Sequence, residues 1–145
     1  MLPDAEHPTV ILNEAECWDL LLGASLGRLA VSVHDTPEIF PVNFLAYDKK
    51  IMIRTAPGEK LLQLTINGSV ALETDGRSSS SVWSVVVKGQ ARQLQSGAEI
   101  EMAEKLALRP WTSSVKSAFV EIVPSQVTGR RLHTGPELER TDLSG

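Results

Sequence analysis

The chain has 145 residues, 42% hydrophobic and 22% charged, with 14 Lys and Arg against 18 Asp and Glu and a formal net charge of −4. That length suits one domain with a real core and argues against general disorder, and no apolar run reaches the roughly 18 residues of a membrane span. The basic residues are scattered, the densest cluster being Arg130-Arg131, so neither a nucleic-acid face nor a basic membrane-surface helix is expected.

Residues 1–12 read as an N-terminal arm. They are acidic and lack the apolar stretch of a secretory signal, and the lone Cys17 excludes an intrachain disulfide. The expected setting is the cytoplasm. Asn13, three residues before Glu16, caps a short amphipathic helix over 14–23, with Cys17, Leu20, Leu21 and Leu22 at near-helical spacing and Gly23 ending it. From Gly27 the period changes to two: Leu29, Val31 and Val33 alternate with Arg28, Ala30 and Ser32.

A turn at 34–37 leads to a strand over 38–47. Pro41 lies inside it and demands a sheet edge or a bulge. A second turn at Asp48-Lys49-Lys50 leads to a strand over 51–55, with Ile51 and Ile53 on one face and Met52 and Arg54 on the other. A short helix over 60–66, a strand over 69–75 and a serine loop over 76–81 come next. A long strand over 82–94 follows, with Gly89 marking a bulge or close backbone approach. Ser96 and Glu99 form a capping box for a helix over 97–107. Two last strands, 119–123 and 126–132, are split by Pro124, and 133–145 is a polar tail. Tight connections and the absence of βα alternation point to a mainly β fold, an antiparallel barrel with small helices at its rim. The barrel domain spans 13–132.

Catalytic patterns are sparse. His7, His34 and His133 lie at no ligand spacing, so no metal site is expected, and Cys17 reads as a small core residue. No side chain stands out as catalytic, so hard chemistry would need a cofactor. The best local signal is 53–60. Arg54 brings a guanidinium fork, Thr55 a hydroxyl and Lys60 an ammonium, around a Pro57-Gly58 turn whose amides open toward a helix start. This suits a phosphomonoester, or equally a turn with solvated charges. In Phe40-Pro41-Val42-Asn43, the Asn43 amide could pair with the polar edge of a heteroaromatic ring, or be a surface amide on an edge strand. The strand opened by Trp83 and Ser84 is apolar on both faces, which favours a subunit interface over a central barrel strand. Trp111 either lids a pocket or pins its loop.

Taken in order, Leu26 to Val31, Pro41 to Phe44, Arg54 to Lys60, Trp83 to Gly89 and Val127 to Arg131 resemble the pyridoxamine 5′-phosphate oxidase-like FMN-binding split barrels, in particular their short bacterial flavin-binding or nitroreductase-like branch. The resemblance implies a homodimer with FMN at the subunit interface. It implies that Arg54, Thr55, Gly58 and Lys60 surround the FMN phosphate. Pro41, Val42 and Asn43 would run beside the ring, with Trp83 and Ser84 reaching it from the partner. It further implies an oxidoreductase passing hydride or electrons from NAD(P)H to a small organic acceptor. The deazaflavin F420 or haem, or binding without turnover, are alternatives. The residues that grip pyridoxal phosphate in the oxidase have no match here, and Glu59 would repel a phosphate unless turned away.

Overall fold

Two tight hairpins set the register of the sheet. His34 (φ 50°) and Asp35 (φ 61°) form one, Asp48 (φ 49°) and Lys49 (φ 55°) the other. Two successive residues with positive φ make the type I′ turn whose twist matches antiparallel strands. In the computed structural model, which describes residues 1–65, 68–106 and 117–134, the first hairpin joins β2 (Leu26–Val33) to β3 (Thr36–Tyr47), and the second joins β3 to β4 (Lys50–Thr55).

The remaining elements are β1 (Thr9–Leu12), α1 (Glu14–Leu22), α2 (Lys60–Thr65), β5 (Ser69–Arg77), β6 (Ser81–Gln93), α3 (Gly97–Glu104) and β7 (Ala118–His133). All strand pairings are antiparallel, in the order β1-β7-β4-β3-β2-β5-β6, and β6 returns to pair with β7. The sheet thereby closes into a barrel. β7 carries β6 along one edge. Its other edge is shared by β4, at Ala118 to Ile122, and β1, at Gly129 to Leu132. Between these two the barrel is split, with no strand partner on that edge among the described residues.

Several expectations are corrected here. The end of the arm joins the sheet as β1. Gly76 and Arg77 belong to β5 and Ser81 to β6, so the serine loop shrinks to 78–80. The two expected final strands are one, because Gly89 and Pro124 oppose each other at a register shift that leaves Ser125 as the extra residue. A Cβ on Gly89 would run into the Val123 carbonyl and stand 2.9 Å from Pro124 Cα. The glycine makes room for the proline, and the bulge carries the strand past it. The helix expected over 97–107 ends at Glu104, capped by Lys105, while residue 107, Trp111 and the tail from 135 lie outside the described residues.

The inner face is the main core, with Leu29, Phe44, Ile51, Ile53, Leu72, Val85, Val87 and Ile122 buried. α1 plugs it. Asn13 Oδ1 accepts from the Glu16 amide at 2.8 Å and Glu16 Oε1 from the Asn13 amide at 3.1 Å. Cys17, Trp18 and Leu21 face inward, whereas Leu22 is exposed. A Cβ on Gly129 would stand 2.7 Å from Cys17 Sγ, so α1 packs directly on the β7 backbone. Cys17 is fully buried, and burial pushes its thiol pKa up. It is a core residue.

α3 covers an outer patch of Met52 and Phe119 with Ala103 and Leu94. Ser96 caps it by accepting from the Glu99 amide at 3.1 Å. The Glu99 carboxylate turns to Arg92 (2.8 Å), which also donates to the nearly buried Glu121 at 3.1 and 3.2 Å. Burial first, and Glu121 second, raise the Tyr47 pKa beside it. No described helix is long and apolar enough to cross a membrane.

Gly89→Ala forces Val123 and Pro124 apart and is expected to lower stability by about 1–3 kcal/mol, read by urea denaturation. Arg92→Met leaves the Glu121 carboxylate buried and unpaired. Arg92 is itself 42% exposed, which reduces the expected cost to roughly 2 kcal/mol. The hydrogen bond from Arg92 holds the Glu99 carboxyl below its ordinary value of 4.5. That stabilisation is present above the ordinary value and is lost as pH falls through the lowered one. Acid titration of wild-type stability should show this loss, and Arg92→Met should show less of it, because the Ser96 hydrogen bonds that also lower the Glu99 pKa remain.

Candidate functional site

Alternation along β4 decides what the 53–60 segment can offer. Ile51, Ile53 and Thr55 point into the barrel, Met52 and Arg54 out of it. Arg54 Nε donates to Ser117 Oγ at 2.6 Å, and its guanidinium lies 5.7 Å from the centroid of the Phe119 ring. The side chain is thus anchored at the barrel surface rather than left to solvent. Thr55 is 6% exposed on the opposite face. The two side chains the sequence pairs on one phosphate leave the strand in different directions.

Beyond β4, the Glu59 amide donates to the Ala56 carbonyl at 3.2 Å, with Pro57 and Gly58 between and Gly58 at φ 84°. This is a type II turn, whose third position favours glycine. One amide expected to face a ligand is therefore used inside the turn. Nothing stands within 4 Å of where a Gly58 Cβ would be, so the turn surface is open. α2 begins at Lys60, whose Nζ lies 3.3 Å from Glu38 Oε1 on β3. Both ends of this pair are reachable by solvent, so an anion can displace it at little cost.

β3 supplies the neighbouring wall. Its residues 36–43 pair with β2 alone, and pairing with β4 starts at Phe44. The Phe44 amide donates toward β2, to the Ser25 carbonyl at 2.9 Å. Alternation then turns the Pro41 nitrogen to the open edge, where a missing N–H costs no ladder bond. Pro41 is exposed and Asn43 half-buried on the outer face, while the Val42 side chain is 1% exposed and sits in the core. Val42 therefore offers a ligand no side-chain contact.

The Lys60–Glu38 pair and the register bring Lys60, Pro41 and Asn43 to a notch between the open edge of β3 and the β4–α2 connection; Arg54 is next to Asn43 by register but turns to Ser117, on the β7 side of β4. The structure does not bring Trp83 and Ser84 there. They lie on β6, separated from β3 by β2 and β5, and face opposite ways. The Trp83 ring covers Gly76, where a Cβ would stand 2.5 Å from the indole, and packs on the core. Ser84 lines an outer groove with Val86 and Arg130. β6 is paired on both edges, so it is a barrel strand whatever covers its outer face.

Two partners at the notch carry no sequence signal. Ser117 is 63 positions from Arg54, and Glu38 is 22 from Lys60. A further outer-face cluster, with no sequence signal, joins Arg28 on β2 to Glu73 and Asp75 on β5. Arg28 Nη1 bonds both carboxylates, at 2.8 and 2.9 Å. Burial and the neighbouring Asp75 raise the Glu73 pKa against the pull of Arg28.

A closed antiparallel barrel, split along one strand and carrying an anchored arginine beside an open strand edge, defines the class. The profile of the pyridoxamine 5′-phosphate oxidase family matches residues 13–131, and the chain belongs to that family. It is similar to the FAD-binding protein of Mycobacterium smegmatis, at 37% identity and TM-score 0.77, over 86% of this chain and 99% of that one. A Corynebacterium glutamicum protein with a provisional pyridoxamine 5′-phosphate oxidase assignment is 42% identical with TM-score 0.83, over 90% and 97% of the two chains. The Mycobacterium tuberculosis protein Rv3129 is 37% identical over 93 residues, 64% of this chain and 84% of that one.

Gly58→Val puts a β-branched residue at positive φ. It is expected to cost on the order of 1–3 kcal/mol if the turn is kept, measured by thermal denaturation.

Proposed function

We propose that this chain is a flavin-binding oxidoreductase that works as a homodimer. The carrying observation is the notch itself, in a member of this family: an anchored Arg54 and a displaceable Lys60 flank an open Pro57-Gly58 turn beside the free edge of β3. Anchored guanidinium and mobile ammonium together suit a phosphate. The open edge beside Pro41 and Asn43 suits a flat ring with polar atoms along one side. The FAD-binding relative at 37% identity supports a flavin as that ring, and FMN is the smallest flavin that supplies both parts.

A bound flavin supplies hydride and electron transfer. The chain's own work is to hold the phosphate through Arg54 and Lys60, to orient the ring along β3, and to keep water from it. Trp83 and Ser84 lie too far round the barrel to serve the notch of their own chain. In this reading they serve the partner's. NAD(P)H is the proposed donor and a small quinone or nitro compound the acceptor.

Arg54→Ala with Lys60→Ala should weaken FMN binding, followed by quenching of flavin fluorescence. Each lost charge-assisted contact is worth about 1.5–3 kcal/mol, or roughly ten- to a hundredfold in Kd. Unchanged affinity removes the phosphate assignment. A purified chain that is monomeric by light scattering and takes up no flavin removes the whole reading, whereas a deazaflavin or haem absorption band would replace the cofactor.

A further inference from the structure

The inward row of β3 breaks its own pattern at the mouth of the barrel. Phe44 and Val42 are buried and Phe40 packs against the same core, yet the next inward position holds Glu38. Glu38 lies opposite Val31 on β2, and side chains paired across antiparallel strands share a face. Val31 is buried. The Glu38 carboxylate therefore stands at the rim of an apolar face, 34% exposed, with Lys60 Nζ 3.3 Å from its Oε1. Lys60 opens α2, which Leu62 anchors in the core.

This pair does little for the fold. Lys60 is 65% exposed, and an ion pair within reach of solvent contributes little stability. Leu62 already holds the helix. What the pair changes is the availability of the ammonium. While Glu38 occupies Lys60, one of the two cations given to a phosphate is neutralised within the chain. An incoming phosphate must take the ammonium from the carboxylate. The displaced carboxylate stays on β3, close to the bound anion, and repels it. Both effects lower affinity, and Glu38 can recapture Lys60 as the phosphate leaves.

We propose that Glu38 is a positioning residue that acts through Lys60 as a built-in competitor of the phosphate. It holds the ammonium in the empty site, weakens the grip on a phosphorylated ligand and makes that ligand exchangeable. The identity of the ligand as a flavin nucleotide rests on the flavin reading. Because the competition is for the ammonium, it acts on the phosphate end of the ligand and not on the ring.

The probes are FMN and riboflavin, which carries the same ring without the phosphate, each titrated into the full chain and followed by flavin fluorescence. Glu38→Gln keeps the shape and removes the charge. It is expected to tighten FMN binding by about two- to fivefold, to slow FMN dissociation in stopped flow, and to leave riboflavin affinity unchanged. On the Lys60→Ala background, where the ammonium is gone, Glu38→Gln should have no effect. A rim contact with a merely structural role would move both flavins alike. Circular dichroism checks that each variant is folded. FMN affinity unchanged or weaker in folded Glu38→Gln, riboflavin tightened as much as FMN, or a gain that persists on the Lys60→Ala background overturns the proposal and leaves the flavin reading in place. FMN taken up by neither the wild-type chain nor Glu38→Gln removes the flavin reading itself, and the role of Glu38 with it.

Discussion

Closure of the barrel depends on one strand. β7 has 16 residues, about 50 Å of extended chain, and pairs with three others. β6 accompanies it from Val120 to His133, while β4 and β1 divide its opposite edge. Without β7 the sheet would be an open meander with two long, sticky edges. Its continuity depends in turn on Gly89, since a side chain there would collide with the backbone at Val123 and Pro124. The strand that closes the barrel also creates its split, because β1 and β4 do not meet along it. α1 fills the inside of that region, pressing Cys17 against Gly129.

Strict alternation then assigns every residue to the inside or the outside, and the chemistry follows that division. The inside is packed with apolar side chains. The polar groups of the notch and the groove are outside: Arg54, Pro41 and Asn43 at the one, Ser84 and Arg130 at the other. Neighbours in sequence are thereby separated, Thr55 from Arg54 and Trp83 from Ser84. Partners distant in sequence are joined, as Ser117 is to Arg54. A site on such a barrel is built from alternate residues of different strands, and rarely from one contiguous motif.

This is also why some of the molecule was legible in the sequence and some was not. The alternation of β2, the two hairpins, the Asn13–Glu16 box and the glycine of β6 that faces the β7 bulge are short-range patterns, and each appears where the residues place it. Pro124 misled because its local meaning is to end a strand. What overrides that meaning is Gly89, 35 positions earlier. Likewise Glu99 reads as the second half of a capping box, but its carboxylate serves Arg92, which reaches across to Glu121, 29 positions on. The ordered resemblance points to residues 54–60 for a phosphate, and the structure places those residues at the β4–α2 connection. The faces of Thr55 and Val42 required the strand register, which no single stretch contains.

The outer surface bears on why a second copy belongs in the functional reading. Ile11, Leu26 and Ile39 are 76%, 47% and 69% exposed, and the register sends all three outward, from β1, β2 and β3. Around them lie the small residues Ala30 and Ala71 and the half-buried Val86. Some polar neighbours there are paired, Arg28 with two carboxylates and Gln90 with Ser69. Large apolar side chains among satisfied polar groups are what a contact surface presents before its partner arrives. A lone barrel would keep that area in water and would leave Trp83 and Ser84 two strands away from the notch. Packing two barrels through this face would relieve both at once. The apolar area would be covered, and β6 of one copy could approach the open edge of β3 in the other. In the proposed dimer, that packing would be part of how the ring is enclosed.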